Sequence, residues 1–261
     1  MSNYSAHEIK KYLNVSGVKL NLFETVTSTN TVLRKMAEDG AEEKTVVISQ
    51  AQTSGRGRRG RSFYSPSDSG LYMSVLLRPD IKISDAILVT TCAAVAVCRA
   101  VESVCNKKAE IKWVNDIYLD GKKVCGILTE AAVNVESGKA KYIILGIGIN
   151  LTKPKNDFPN EIKNIATTLF DNILDAENNK SRIAALILNN FFKEYCFLAE
   201  KRFFDEYKNR MFLIGKPIRV LSAEEYDAQV LGLDEDFSLI VKNEKGEIKK
   251  LNSGEVSTRA C

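Results

Sequence analysis

Hydrophobic positions change period several times along this chain, and each change predicts an element. Residues 5–13 place Ile9, Tyr12 and Leu13 on one helical face. Alternation over 18–24 predicts a strand. A hydroxyl-rich run then leads through Ser28, Thr29 and Asn30 to Val32, Leu33 and Met36, which predicts a helix ending near Gly40. Capping that helix needs one hydroxyl, so the surplus leaves room for a polar ligand at its start. Residues 45–50 and 71–77 read as β-branched or apolar strands. Residues 86–104 form the most apolar run, but Thr90, Thr91, Arg99 and Glu102 interrupt it, so it predicts a buried helix and not a membrane span. Residues 109–114 predict a short strand. Asp120-Gly121 then marks a hairpin before the long alternating strand 123–133. In the apolar strand 142–150, Gly146 and Gly148 fall at period two, a sign of close approach by a ligand or another backbone. A short helix is expected near 165–170, and a longer one over 181–202. Beyond Met211 the pattern becomes four short strands, at 216–221, 226–233, 238–242 and 248–251. Tight polar turns between them predict a small barrel. The chain therefore divides near Gly215, into domains 1–214 and 215–261.

Charge changes this picture locally. The formal net charge is only +4, far from that of a dedicated nucleic-acid binder. Yet Gly55-Arg56-Gly57-Arg58-Arg59-Gly60-Arg61 packs arginine and glycine together with no acidic residue. Such a segment repels itself, and it is expected to be poorly ordered until an anion fills it. Arginine forks and closely approaching backbone N–H groups suit phosphate or carboxylate. The plainer alternative is a basic surface loop that touches nucleic acid.

Residue counts exclude several chemistries. The single histidine, His7, lies in a polar N-terminal segment, so a Ser-His-Asp triad, a Cys-His pair and a multi-histidine zinc site are ruled out. Six cysteines without a C-x-x-C pair read as reduced and mostly buried, which points to the cytoplasm. The first eleven residues lack the apolar core of a signal peptide. Catalysis must then rest on positioning and on charge stabilisation by Lys, Arg, amides and hydroxyls.

A third polar cluster, Lys112-Trp113-Val114-Asn115-Asp116, is joined by Lys123 after the hairpin turn. Taken alone, its polar members are common turn residues and Trp113 is a core residue. Taken in order, G-R-G-R-R-G-R, K-W-x-N-D-x-Y, G-K-K-V-C-G-I-L-T-E and G-I-G-I-N resemble the biotin protein ligases. The likeness covers most of residues 20–150 and extends to the G-E-V-S-T-R ending.

That resemblance implies an α/β (α+β) catalytic domain like that of class II aminoacyl-tRNA synthetases, with a mixed sheet, flanking helices and an SH3-like C-terminal barrel. It implies biotin, ATP and Mg²⁺ as reactants, a biotinyl-5′-AMP intermediate, and a lysine of a biotin carboxyl carrier domain as acceptor. Matched residue by residue, it assigns biotin to Ser28, Thr29, Asn30, Gln52, Gly55, Arg56, Lys123, Gly126 and Leu128. It assigns the nucleotide to Arg58, Arg59, Arg61, Phe63, Lys112, Trp113, Asn115, Asn150 and Arg259, although a lone arginine near a terminus is more often a surface residue. Arg56, Lys123 and Asp116 are the catalytic candidates. Asp116 serves either the acceptor lysine or the metal, and no residue is assigned as a dedicated metal ligand. Phe63 stands where the family often has tryptophan, and Val114 where it often has proline.

Two copies pairing through sheet edges would follow the family's habit. Fewer than about twenty residues precede the first catalytic strand, so a DNA-binding domain and repressor activity are not expected. Lipoate–protein ligase, which shares the fold, is the enzymatic alternative.

Overall fold

The computed structural model describes residues 5–221, 224–252 and 255–258. Ser5 caps helix α1 (Ala6–Tyr12), its hydroxyl accepting from the Glu8 N–H at 3.2 Å. Strand β1 (Lys19–Val26), helix α2 (Thr29–Glu38) and strand β2 (Thr45–Gln52) lead into the Arg/Gly segment, and β3 (Gly70–Leu77) follows it. Next come helix α3 (Ile87–Glu102) and strands β4 (Glu110–Lys112), β5 (Asp116–Leu119), β6 (Lys122–Val133) and β7 (Ala140–Asn150). Helices α4 (Ile173–Tyr195) and α5 (Phe204–Arg210) precede β8 (Pro217–Leu221), β9 (Tyr226–Leu233), β10 (Leu239–Asn243), β11 (Ile248–Leu251) and β12 (Glu255–Thr258).

The first seven strands form one sheet in the order β1-β2-β3-β7-β6-β5-β4. Only β1 and β2 pair in parallel, so the sheet is mixed. The β5–β6 turn is the two-residue type expected of Asp-Gly, with φ 50° at Asp120 and 75° at Gly121. Strand periodicity sends alternate residues to opposite faces. Val46, Ile48, Val75, Leu77, Ile143 and Leu145 join the main core with α3 and α4. Val47, Leu76, Ile144 and Tyr142 join Leu33 and Ala37 of α2 on the other face.

Helix α3 is buried at every residue from Leu88 to Cys98. Its alanines and cysteines let it lie close against the sheet on one side and α4 on the other. Residues Ile83–Glu102 are long and apolar enough to cross a membrane, yet most of that stretch is core here.

The second sheet is antiparallel, in the order β11-β10-β9-β8-β12. It packs on the first body through Phe237, whose ring stacks on Phe203 at 5.6 Å and meets Tyr207 edge-on at 5.4 Å. Strand β12 adds a fifth strand to the four that periodicity marked.

Two other expectations change. Residues 165–170 are extended, not helical: the Lys123 N–H donates to Ile165 O and the Thr167 N–H to Lys123 O, both at 2.8 Å. Strand-like pairing along β6 satisfies backbone groups that a helix would otherwise satisfy internally. Helix α4 starts earlier than periodicity indicated, because Asn172 caps it by accepting from the Asp175 N–H at 2.9 Å. It ends at Tyr195, and Lys201 beyond it has a left-handed φ of 51°.

An ion network ties α3, α4 and α5 together. Arg210 donates to Glu102 at 2.7 and 2.9 Å and to Glu206 at 2.9 Å. Arg99 donates to Glu206 at 2.5 Å and to Glu194 at 2.6 Å. Partial burial opposes the charged forms of Glu102 and Glu206, but the arginine hydrogen bonds outweigh it, and both carboxyls sit below the ordinary glutamate value. Their stabilisation is therefore complete above that ordinary value and is lost as pH falls through the lowered, folded one. Replacing Arg210 with Met is expected to cost about 2 kcal/mol at neutral pH, by removing charge-assisted hydrogen bonds. That difference should shrink as the pH falls below the ordinary glutamate value. Urea unfolding of both proteins at neutral and acid pH checks it; an unchanging difference would exclude these carboxylates as its source.

Candidate active site

The floor of the site is a strip of sheet in which three of four positions are glycine. Gly126 of β6 pairs with Gly148 of β7, and Leu128 with Gly146. On the far side of β7, Tyr72 and Ser74 of β3 face Gly148 and Gly146. A methyl group on Gly148 would lie 2.6 Å from the Phe63 ring, and one on Gly126 would lie 3.2 Å from both Phe63 and Lys123 Nζ. One on Gly146 would overlap the Asn30 amide. The close approach foreseen from glycine at period two is thus made by neighbouring side chains. Above this strip lies a cavity of about 140 Å³.

One wall is the start of α2. Ser28 is the N-cap residue, yet its hydroxyl makes no capping bond; it is buried and lines the cavity. The Thr29 N–H donates instead to Gln52 Oε1 at 2.8 Å, with the Thr29 hydroxyl 3.2 Å from the same oxygen. Gln52 Nε2 donates to Ser65 Oγ at 2.9 Å. Ser74 Oγ lies 2.7 Å from Thr29 Oγ1 and donates to Asn30 Oδ1 at 2.6 Å. Asn30 Nδ2 donates to Glu130 Oε2 at 2.8 Å. A carboxylate only accepts, which fixes the orientation of the Asn30 amide. A continuous polar chain therefore runs under the cavity from Ser65 to Glu130. Buried and satisfied, it holds each member in one orientation.

The other end is cationic. Arg56, Arg58, Arg59, Arg61, Lys112 and Lys123 all line the cavity. Lys123 Nζ pairs with Asp116 Oδ1 at 2.7 Å, and the same oxygen accepts from Asn115 Nδ2 at 3.1 Å. Asn115 also accepts from Arg58 Nη1 at 3.0 Å and donates to Ile127 O at 2.8 Å. Burial, with Asp116 nearby, pushes the Tyr118 phenol up to about 12, so it stays neutral at pH 7.

The Arg/Gly segment is folded over this end as a hairpin, where composition pointed to poor order. Backbone bonds explain the difference. The Phe63 N–H donates to Gly55 O at 2.9 Å, the Gly57 N–H to Arg61 O at 2.7 Å and the Arg61 N–H to Arg58 O at 3.1 Å. Arg59 and Gly60 turn the chain with φ of 53° and 75°. Arg59 Nη1 then reaches across to Leu221 O of the second sheet, at 2.9 Å.

Most of the residues singled out from sequence meet at this cavity: Ser28, Thr29, Asn30, Gln52, the loop arginines, Phe63, Lys112, Trp113, Asn115, Asp116, Lys123, Gly126 and Leu128. Three do not. Gly55 lies behind the wall, where any Cβ would collide with Phe63 O and Ser65 Oγ. Asn150, at the end of β7, donates to Thr167 O at 3.1 Å and anchors the extended segment. Arg259 lies outside the described residues. Trp113 is held by its indole N–H, which donates to Phe237 O at 2.8 Å, and it is nearly buried. The Trp113–Val114 peptide bond is cis. Phe63 packs on the glycine floor, with Tyr72 edge-on at 6.3 Å.

Sequence reasoning passed over Ser74 and gave no role to Glu130 or Val256, although both stand in quoted motifs. Alternation along β6 held the signal for Glu130, which shares one face with Gly126 and Leu128.

Comparison with known proteins agrees with this geometry. Residues 22–150 match the model of the biotin/lipoate A/B protein ligase family, and residues 213–259 match the biotin protein ligase C terminal domain. A Bacillus subtilis protein named bifunctional ligase/repressor BirA is 34% identical over 255 residues, covering 93% of this chain and 74% of the relative. The chain belongs to the biotin protein ligases. A Mycobacterium tuberculosis biotin--[acetyl-CoA-carboxylase] ligase is 29% identical, over 77% of this chain and 74% of that protein. Among solved structures, the biotin protein ligase from Aquifex aeolicus in complex with biotin and ATP superposes with a TM-score of 0.74 at 28% identity, covering 93% of this chain and 99% of that one. The mixed α/β fold with its C-terminal antiparallel sheet, the ligase class and the use of biotin and ATP follow from this membership.

The glycine floor makes the site sensitive to one methyl group. Gly146→Ala should displace Asn30 and break the polar chain. Overpacking of this kind costs roughly 1–3 kcal/mol, so biotin is expected to bind about tenfold more weakly or worse. Calorimetric titration of the folded variant checks it, and wild-type affinity would show that Asn30 moves aside without consequence.

Proposed function

We propose that this protein activates biotin with ATP and transfers the biotinyl group to a lysine of a biotin carboxyl carrier domain. The observation that carries this reading is the two-ended cavity. Hydroxyls and amides gather at one end, six cationic side chains at the other, and three glycines keep the floor between them low.

The first step joins two anions. A biotin carboxylate oxygen attacks the α-phosphorus of ATP and pyrophosphate leaves. The carboxylate is already ionised at neutral pH, so no general base is needed, in keeping with a site that holds no histidine. Cations must instead hold the crowded negative charge. Ser28, Thr29 and Gln52 are proposed to pair the ureido group, whose donors and acceptors need partners once buried. Arg56 meets the carboxylate or adenylate phosphate, Arg58 and Arg61 the phosphates, and Lys123 the acyl-phosphate oxygens.

In the second step the acceptor amine attacks the acyl carbon, forming an amide and releasing AMP, and the amine loses a proton. Asp116 suits that stage, because Lys123 and Asn115 hold its Oδ1 and leave Oδ2 to orient the amine or take the proton.

Asp116 is also the only carboxylate lining the cavity among the described residues, and those residues contain no cluster of three acidic, histidine or cysteine ligands. Such a donor set fits a magnesium ion that arrives on the nucleotide phosphates and takes at most one protein carboxylate. Bound there, the ion supplies charge neutralisation to the phosphates.

A division near Gly215 is supported by the start of the second sheet at Pro217. A cytoplasmic setting agrees with the free thiols Cys92, Cys98, Cys105, Cys125 and Cys196.

Incubating the protein with biotin, MgATP and a carrier domain should add one biotinyl mass to the carrier by intact mass spectrometry. No gain with folded protein would sink the reading, and a gain with lipoate in place of biotin would select the lipoate relative. Lys123→Gln should lower pyrophosphate release by about 10²–10³. Asp116→Asn should slow transfer from preformed biotinyl-adenylate; full speed across pH would remove it from the proton's path.

A further inference from the structure

Glu130 has no part in the reaction as described, yet it sits at the junction of two site residues. Its Oε1 forms an ion pair with Arg56 Nη2 at 2.9 Å and accepts from Arg34 Nη2 at 2.7 Å. Its Oε2 accepts from Asn30 Nδ2 at 2.8 Å. The Glu130 side chain is 17% exposed, against 43% for Arg56 and 37% for Arg34. The carboxylate is thus the fixed member, and Arg56, on a hairpin flanked by glycines, is the more movable one.

Charge counting gives this arrangement a use. Two guanidiniums and one carboxylate leave one positive charge over, which matches one incoming carboxylate. If Arg56 turns away, Glu130 keeps its bonds from Arg34 and Asn30, so no buried charge is stranded. A carboxylate fixed beside an anion site without those partners would repel the substrate.

We propose that Glu130 is a positioning residue that holds Arg56 in place of the substrate carboxylate and gives it up when that carboxylate arrives. This rests on the biotin-ligase reading of the cavity. Arg34 acts as the permanent counterion that makes the exchange affordable in charge, and Asn30 keeps the Glu130 carboxylate aimed. No covalent step is involved: one ion pair replaces another, and Arg56 stays charged throughout.

The exchange predicts opposite effects from two neighbouring substitutions. Glu130→Gln keeps an oxygen for Asn30 but releases Arg56, so biotin should bind about two- to fivefold more tightly, the range of a partly exposed ion pair. Arg34→Gln leaves Arg56 as the only guanidinium on Glu130, so biotin should bind more weakly by a similar factor. Biotinol, with an alcohol in place of the carboxylate, should keep its wild-type affinity in both variants. In an Arg56→Gln background both effects should disappear. Calorimetric titration of the full chain with biotin and biotinol measures all of these. Trypsin supplies a readout that needs no ligand: cleavage within residues 56–61 should be faster in Glu130→Gln than in wild type.

Biotin and biotinol weakening together in Glu130→Gln would make Glu130 a merely structural support and overturn the proposal. So would an unchanged ratio of the two affinities, or loop cleavage at the wild-type rate. Wild-type protein that binds neither ligand would instead refute the ligase reading, and the exchange with it. Arg34→Gln lies on a half-exposed helix face, so the test stands even if Glu130→Gln fails to fold.

Discussion

Three glycines lie close together on β6 and β7, and at those positions the centre of the sheet loses its side chains on one face. The neighbouring side chains then come closer than any Cβ would allow. Phe63 settles on Gly126 and Gly148, and Asn30 on Gly146. Both contacts have consequences at a distance. Phe63 anchors the hairpin that carries the arginines, and Asn30 connects the hydroxyls of α2 to Glu130. The depth of the cavity, the position of its lid and the orientation of its polar chain therefore share one cause, a strand pairing that gathers Gly126, Gly146 and Gly148 on one face.

The electrostatics depend on that same closeness. Six cationic side chains around one cavity repel each other, and the folded protein tempers this with two carboxylates in particular places. Asp116 pairs with Lys123, and Glu130 with Arg56 and Arg34. Each carboxylate also accepts from an asparagine, Asn115 or Asn30, so neither depends on its cation alone. Electrostatic stabilisation works best when dipoles and charges are fixed before the reaction, and these asparagines supply the fixing.

Much of this was legible in the sequence, for reasons that are local. The hydroxyl run at Ser28 to Asn30, the Arg/Gly hairpin and the Lys112 to Asp116 corner each announce polar chemistry within a few residues. The Asp120-Gly121 turn announces its own geometry. What was not legible depended on pairing between distant strands. Ser74 looks like an interior serine until β3 is set against β7, which puts it between Thr29 and Asn30. Glu130 looks like an ordinary strand residue until its shared face with Gly126 and Leu128 is known. Ser28 reads as a cap, but its hydroxyl makes no cap bond and lines the cavity instead. The order of the Arg/Gly hairpin was hidden for a similar reason: self-repulsion is visible in composition, whereas the bonds from Phe63 to Gly55 and from Gly57 to Arg61 are not. Residues 165–170 carried apolar spacing compatible with a helix, but an open edge at Lys123 claimed their backbone first.

The second sheet is the part whose position composition could not suggest, and it bears directly on the site. Trp113 lies in the polar corner, yet its indole N–H is held by Phe237 O, in the turn between β9 and β10. Phe237 is itself fully buried against α5, which the arginine–glutamate network fastens to α3. Arg59 donates to Leu221 O at the end of β8, and Val256 of β12 reaches the cavity wall. One side of the cationic end is therefore built by a sheet from the far end of the chain. A change that loosened Phe237 would shift Trp113, and with it the corner holding Asn115, Asp116 and, through Asn115, Arg58. The hairpin arginines are thus held from two directions: Arg56 by its ion pair with Glu130, and Arg58 and Arg59 through Asn115 and the domain contact. The cationic end of the cavity is placed by the packing of two sheets against each other as much as by the loop that carries its arginines.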